Sequence, residues 1–251
     1  MMSEDLLSFE RIACNRRTNK VLAEDDQPIT DQRLLVERLL SCAGWAPFHR
    51  MCSIEHRTNE QSPFENDNAH RLAGVEPWRF YPIDSANCRR LRLIAQEMEA
   101  AGKIPAMLAS AVSTIVATWL PNPPQGQQLG EFEDSAVDSQ DSKNCTSDPE
   151  FFEPTLENVE HIAAASAAVQ SLLLAATAAG LLNYWSTGGV LRSPKILNLL
   201  GIPSNQRVLG VIFLFSSETQ ELPSVQIVGS KLRESRGALH HWSRWVFLDS
   251  Q

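Results

Sequence analysis

The stretch 156-LENVEHIAAASAAVQSLLLAATAAGLLNYWSTGGV-190 decides the fold. Its first 24 or so residues predict one long helix, about 36 Å from end to end at the α-helical rise. Thr155 is placed to cap its start, and Glu157 and Glu160 suit the positive end of the helix dipole. Gly180 is a natural stop. Between them lie Ile162, Val169, Leu172, Leu173 and Leu174, with alanine at most other positions. Apolarity on every side predicts a helix buried on most sides, and alanine lets its neighbours come close. After it, Tyr184-Trp185-Ser186-Thr187-Gly188-Gly189 predicts a short strand running into a turn that exposes backbone N–H groups. A buried helix that delivers such a turn points to a binding site at its exit. Ile162–Leu182 is also long enough to span a membrane. Alanine dominance, the polar Ser166, Gln170, Ser171 and Thr177, and flanks without basic residues favour a protein core.

Outward from this helix the chain changes character on both sides. Upstream, residues 121–154 are acidic and rich in Ser, Asp and Gln, which predicts an inserted loop with Phe132, Phe151 and Phe152 as anchors. Residues 131–160 hold ten acids and one base, a charge of −9, so the net charge of −8 is local and the rest of the chain is near +1. No basic stripe with interleaved aromatics appears, so nucleic acid is not an expected partner. Ala111–Leu120 is rich in β-branched residues and predicts a buried central strand, stopped by Pro121. Before it, a helix is predicted over about 86–101, closed by Gly102, and a strand over 76–83 that begins at Pro77. Downstream, Ser193-Pro194 starts a short helix over 194–200, and Arg207–Phe215 predicts another central strand. The tail over 229–248 has a basic cluster, Lys231, Arg233 and Arg236, then an aromatic end that needs a groove, for which a partner subunit is an attractive host.

At the N-terminal end, residues 3–15 predict a helix with Leu6, Leu7, Phe9 and Ile12 on its apolar side. The cluster Asn15-Arg16-Arg17-Thr18-Asn19-Lys20 follows. A solvated helix end accounts for such a cluster, and so does an anion site, since arginine forks and a hydroxyl suit phosphate. Thr30 is a candidate cap for a second helix that runs to Gly44, ahead of Trp45-Ala46-Pro47-Phe48-His49. Residues 50–74 have little apolar periodicity and predict a second inserted loop. His49, His56 and His70 fit no standard metal spacing and are expected as solvated loop histidines. Five scattered cysteines without a C-x-x-C pair fit a reducing cytoplasm rather than a disulfide framework or a zinc site. Met1–Glu10 lacks a basic segment followed by an apolar one, so no leader is expected.

In order along the chain, these pieces are an Arg-Arg-Thr cluster after a first helix, an Ala-Pro turn after a second, and Pro-Trp-Arg-Phe entering a strand. A long Ala-rich helix leading to Tyr-Trp-Ser-Thr-Gly-Gly follows, then Leu-Gly-Ile-Pro and an apolar strand. The set resembles the nitroreductase family of FMN-dependent oxidoreductases over about residues 11–49, 76–120 and 156–216. The resemblance implies an α+β fold, a central and mostly antiparallel sheet flanked by helices. It implies one domain over 1–251, interrupted by loops at about 50–74 and 121–154, in an intertwined homodimer with FMN at its interface.

Carried over by residue, Arg16, Arg17 and Thr18 match the motif that contacts the FMN phosphate, ribityl chain and pyrimidine edge, with Lys20 near the same cluster. Pro47, Phe48 and His49 match the turn that lines the flavin from the partner chain. Trp185, Ser186, Thr187, Gly188 and Gly189 match the turn beside the isoalloxazine, where the family places a backbone N–H near N5. Lys231 and Arg233 resemble the basic pair that completes the phosphate site. The implied activity takes a hydride from NADH or NADPH through flavin N5 to an electron-poor small molecule (a nitroaromatic, quinone or enone) in a ping-pong scheme. No dedicated base or nucleophile is required, because the flavin carries the chemistry. Alternatives are a flavin-binding or cofactor-free interaction protein on the same fold, or a flavin enzyme of different chemistry such as reductive dehalogenation. Two departures stand out. About 25 residues separate the Ala-Pro turn from Pro-Trp-Arg-Phe, which affects where His49 lies. The acidic run also occupies the region where relatives carry substrate-pocket helices.

Overall fold

A computed structural model describes residues 3–58, 72–123, 153–233 and 235–246. Phe132, Phe151, Phe152, His70, Cys145 and most of the acidic run lie outside the described residues.

Four antiparallel strands form the main sheet, in the order β2-β3-β5-β4. They are β2 (Trp78–Asp84), β3 (Ser113–Trp119), β4 (Leu182–Ser186) and β5 (Arg207–Phe215). Every residue of β3 is buried, as is nearly all of β5. Alternation along the two strands splits the core in two. Ile115, Ala117, Trp119, Ile212 and Leu214 face α2 (Arg33–Ala43) and α6 (Leu156–Ala178). Val116, Val211, Phe213 and Phe215 face α4 (Ser85–Gln96), α5 (Ile104–Ser110) and α7 (Pro194–Leu199). The α+β class and the helix-flanked antiparallel sheet are therefore as expected.

The long helix also has its expected ends. Thr155 Oγ1 accepts from Asn158 N at 3.1 Å, and Gly180 takes a positive φ of 80° just past the last turn. Its burial is less complete than expected. His161, Ala164, Ala165, Ala168, Val169, Leu172, Leu173 and Ala176 are buried on the core side. Leu156 and Val159, toward its start, remain 69% and 52% exposed. One sheet covers one stripe of a helix, so the composition of α6 calls for more cover than this chain gives it. By length and composition alone α6 would also suit a membrane span.

Three local expectations are corrected. Thr30 does not cap α2. Its N–H and C=O are taken by Ser85 Oγ at 3.0 and 2.8 Å, and Asp31 Oδ1 instead accepts from Arg33 N. The helix expected over 86–101 stops at Gln96, because Ala100 and Gly102 take positive φ, and the separate α5 begins with Pro105 in its first turn. The segment after α2 holds a short helix, α3 (Ile54–Thr58). In it His56 is fully buried rather than solvated. Two strands not expected from the sequence, β1 (Asn19–Ala23) and β6 (Val225–Gly229), pair as a separate antiparallel ribbon, with Asn19 opposite Gly229. These short, half-exposed strands carry little sequence signal.

A buried arginine secures the entry to β2. Arg79 Nη1 donates to Glu76 O and Trp78 O at 2.8 Å each, Nη2 to Gly74 O at 2.9 Å, and Nε to Leu72 O at 3.2 Å. Carbonyl partners on this scale let a guanidinium stay buried.

Gly210 lets β4 lie close on β5. A Cβ there would sit 2.2 Å from Trp185 Nε1 and 2.7 Å from Ser186 O. Gly210→Ala is expected to cost about 1–3 kcal/mol through overpacking. Urea unfolding measures it, and an unchanged midpoint would contradict this packing.

Candidate functional site

The site is assembled by the β1–β6 ribbon. Helix α1 (Glu4–Asn15) ends with Arg16 in extended backbone, its N–H on Ile12 O at 2.9 Å. The chain then enters β1, and pairing with β6 sets Arg16, Arg17 and Thr18 beside Gly229 and the residues after it. Together with Ser230, Arg233 and Arg236 they line a cleft of about 380 Å³. Residues more than 200 positions apart thus face one space.

Arg233 has two tasks there. Its Nη1 donates to Arg16 O at 2.9 Å, and its Nη2 donates to Cys14 O. These are carbonyls at the C-terminal end of α1, which has no basic residue in its own last turn. Arg233 therefore supplies the cation that a helix C-terminus favours. Arg16 is pushed below its ordinary value, first by burial and then by Arg236 and Arg233. It stays charged, as arginine does. Among the described residues no carboxylate lies in ion-pair range of Arg16, Arg17, Arg233 or Arg236. Such a cluster repels itself, and an anion in the cleft relieves the repulsion.

Strand β4 runs alongside. Thr18 forms a parallel bridge with Asn183, and Lys20 Nζ lies 4.9 Å from the centre of the Tyr184 ring. Lys20 is thereby engaged in a cation–π contact and does not line the cleft; neither does Lys231. At the end of β4, Ser186 Oγ accepts from Gly188 N at 3.1 Å, so this hydroxyl and this N–H satisfy each other. Gly188 and Gly189 have φ of 109° and 52°. A side chain on Gly188 would also meet Arg192 Cγ at 2.8 Å. Both features confine the turn to glycine. Thr187 and Gly189 are exposed, and Trp185 is partly covered against the core.

Pro47, Phe48 and His49 lie elsewhere. The Phe48 ring meets Trp78 edge-on at 5.5 Å, while Pro47 and His49 are exposed. Arg50, next in the chain, pairs with Glu160 at 3.2 Å in the first turns of α6. The Arg16 cluster sits by the other end, where Asn183 Nδ2 donates to Thr177 Oγ1 at 3.0 Å. Glu160 and Thr177 are about 26 Å apart along a straight helix. Within one chain the two halves of the expected site are held apart. Arg236 was not among the residues expected in the site, although the basic tail cluster contains it. Only the ribbon brings it in.

No protein-family model matches the chain, and no curated protein matches it. Solved structures do. A nitroreductase-like family protein from Bacillus cereus aligns over 95% of this chain and 98% of its own, with a TM-score of 0.52 and 17% identity. A nitroreductase in complex with FMN from Desulfovibrio desulfuricans covers 99% of both chains, with a TM-score of 0.51 and 18% identity. A nitroreductase family protein from Streptococcus pneumoniae covers 92% and 99%, with a TM-score of 0.50 and 14% identity. The chain has the nitroreductase fold. At these identities the likeness is one of fold, and the residues must argue for chemistry themselves.

Replacing Arg233 by lysine keeps the charge but loses the fork to two carbonyls. Arg233→Lys is expected to lose about 1–2 kcal/mol of stability. Thermal unfolding tests this, and an unchanged midpoint would show that the Arg233 contacts contribute nothing.

Proposed function

We propose that the chain is an FMN-dependent oxidoreductase that works as a homodimer. The observation that carries this reading is the cleft of clustered arginines next to β4, with no carboxylate in ion-pair range of them among the described residues. Arg16, Arg17, Arg233 and Arg236 would hold the FMN phosphate as charge-assisted partners, with the Thr18 hydroxyl alongside. Trp185–Gly189 would border the isoalloxazine ring. Bound there, FMN would supply the redox chemistry, transfer of a hydride from NADH or NADPH to a nitroaromatic, quinone or enone in ping-pong order. The chain itself binds, orients and excludes water. Its cations also favour the added negative charge of a reduced flavin.

The dimer is supported by three features. Pro47, Phe48 and His49 lie too far along α6 to serve the cleft of their own chain, and a second copy would bring them to it. The outer residues of α6 lack cover. The tail carries Trp242 and Trp245, the latter 87% exposed, which a partner's surface would bury.

A visible absorption spectrum of the purified protein, before and after anaerobic NADH or NADPH, tests the reading. The expected result is a yellow protein that bleaches. A colourless protein that FMN cannot reconstitute would refute the cofactor assignment and leave an interaction protein on this fold. Arg16→Ala combined with Arg17→Ala is expected to weaken FMN binding at least tenfold, or about 1.4 kcal/mol. Full flavin occupancy in the double variant would remove the phosphate role from this cleft.

A further inference from the structure

Three elements meet at the end of β3. His56 on α3 and His161 on α6 are 0% and 1% exposed. His56 Nε2 lies 2.7 Å from Pro121 O, and His161 Nδ1 lies 2.7 Å from Leu120 O. A carbonyl only accepts, so these two ring nitrogens carry the protons. In a neutral ring the opposite nitrogen, His56 Nδ1 or His161 Nε2, is then a lone pair. Both are buried and without a partner among the described residues. One helical turn before His161, the buried Asn158 holds the next residue. Its Oδ1 accepts from Asn122 N at 2.8 Å, and its Nδ2 donates to Asn122 O at 3.1 Å. The chain leaving the sheet is therefore gripped at three successive residues, from α3 on one side and α6 on the other. Two imidazoles do not make a metal site, and no third ligand joins them among the described residues.

We propose that His56 is a proton-operated latch, which seats α3 on Leu120–Asn122 while its ring is neutral and releases that seat when the ring takes a second proton. The second proton has to go to Nδ1, which has no acceptor among the described residues. Among the described residues, the charged or titratable groups that act on the ring are Arg79 from β2, His161 from α6 and Glu55 from α3 itself. Burial is the main reason that His56 is held below the ordinary histidine range. The Pro121 carbonyl works against it, Arg79 and His161 add to it, and Glu55 opposes them. The sign follows directly. Above the ordinary value, the seated and released forms are both neutral and the latch holds fully. As pH falls through that value, the released ring takes a proton that the seated ring refuses. The released population then gains about tenfold per pH unit until the seated ring titrates as well. The latch lies at the end of α6 that holds Arg50, away from the arginine cleft of the same chain, and its test needs no flavin.

Hydrogen exchange of the full-length protein tests it, read at the Leu120 and Asn122 amides, which are bonded to Pro77 O and Asn158 Oδ1. Rates are corrected for intrinsic exchange and compared at pH 7.5 and 5.5. The expected result is an opening that grows about tenfold per pH unit below the ordinary histidine value of about 6.5. His56→Gln keeps an N–H donor in place of Nε2 and cannot titrate, so it should flatten this dependence. His161→Asn keeps a donor in place of Nδ1 and should leave most of it. A wild-type protein with no pH dependence would overturn the latch, and so would a His56→Gln variant as steep as wild type. Should His56→Gln fail to fold, NMR titration of the wild-type ring decides: a value at or above about 6.5 overturns the proposal, and one clearly below it supports it.

Discussion

Strands β3 and β5 are buried on both faces, and this constrains everything around them. A strand with two apolar faces needs a helical layer on each, and the chain supplies α2 and α6 on one side and α4, α5 and α7 on the other. The sheet edges then fall to β2 and β4. Because β4 follows α6 after only three residues, the glycine turn at its end is delivered to one fixed place. Trp185 crosses β5 where Gly210 leaves room, so the packing of the sheet and the shape of the candidate site are the same fact.

The length of α6 sets the second constraint. Its N-terminal turns hold Arg50, and with it the Pro47–His49 turn; its C-terminal end holds Asn183, and with it the arginine cleft. A rigid helix keeps these groups apart. A site that uses both must draw on two chains, and the uncovered outer residues of α6 leave a surface on which a second chain can pack. Cofactor binding and subunit assembly would then share one cause.

Charge is distributed to the same end. The acids concentrate in one run, while among the described residues no carboxylate lies in ion-pair range of the arginines around the cleft. Arg233 shows how a residue can serve fold and site together: it caps α1 through backbone carbonyls and still contributes its charge to the cleft. The buried arginine Arg79 and the buried pair His56 and His161 follow another rule. Backbone carbonyls accept a hydrogen bond from each of them.

The sequence by itself determined the elements with strong local signals. Helix α6 follows from its alanine-rich run and Thr155 cap, β3 and β5 from their β-branched apolar runs, and the turn at Gly188-Gly189 from residues that tolerate positive φ. The Arg16-Arg17-Thr18 cluster was visible as well, because a cation cluster can be read without coordinates. Tertiary structure decided the rest. The β1–β6 ribbon could not be read from two half-exposed strands of five residues, and Arg236 enters the cleft only through that pairing. Nor could the burial of His56 be read, since its partner is the carbonyl of Pro121, and a carbonyl looks the same at every position of a sequence. Local composition selects helices, strands and turns; contacts between distant backbone groups leave no mark on composition, and only the folded chain reveals them.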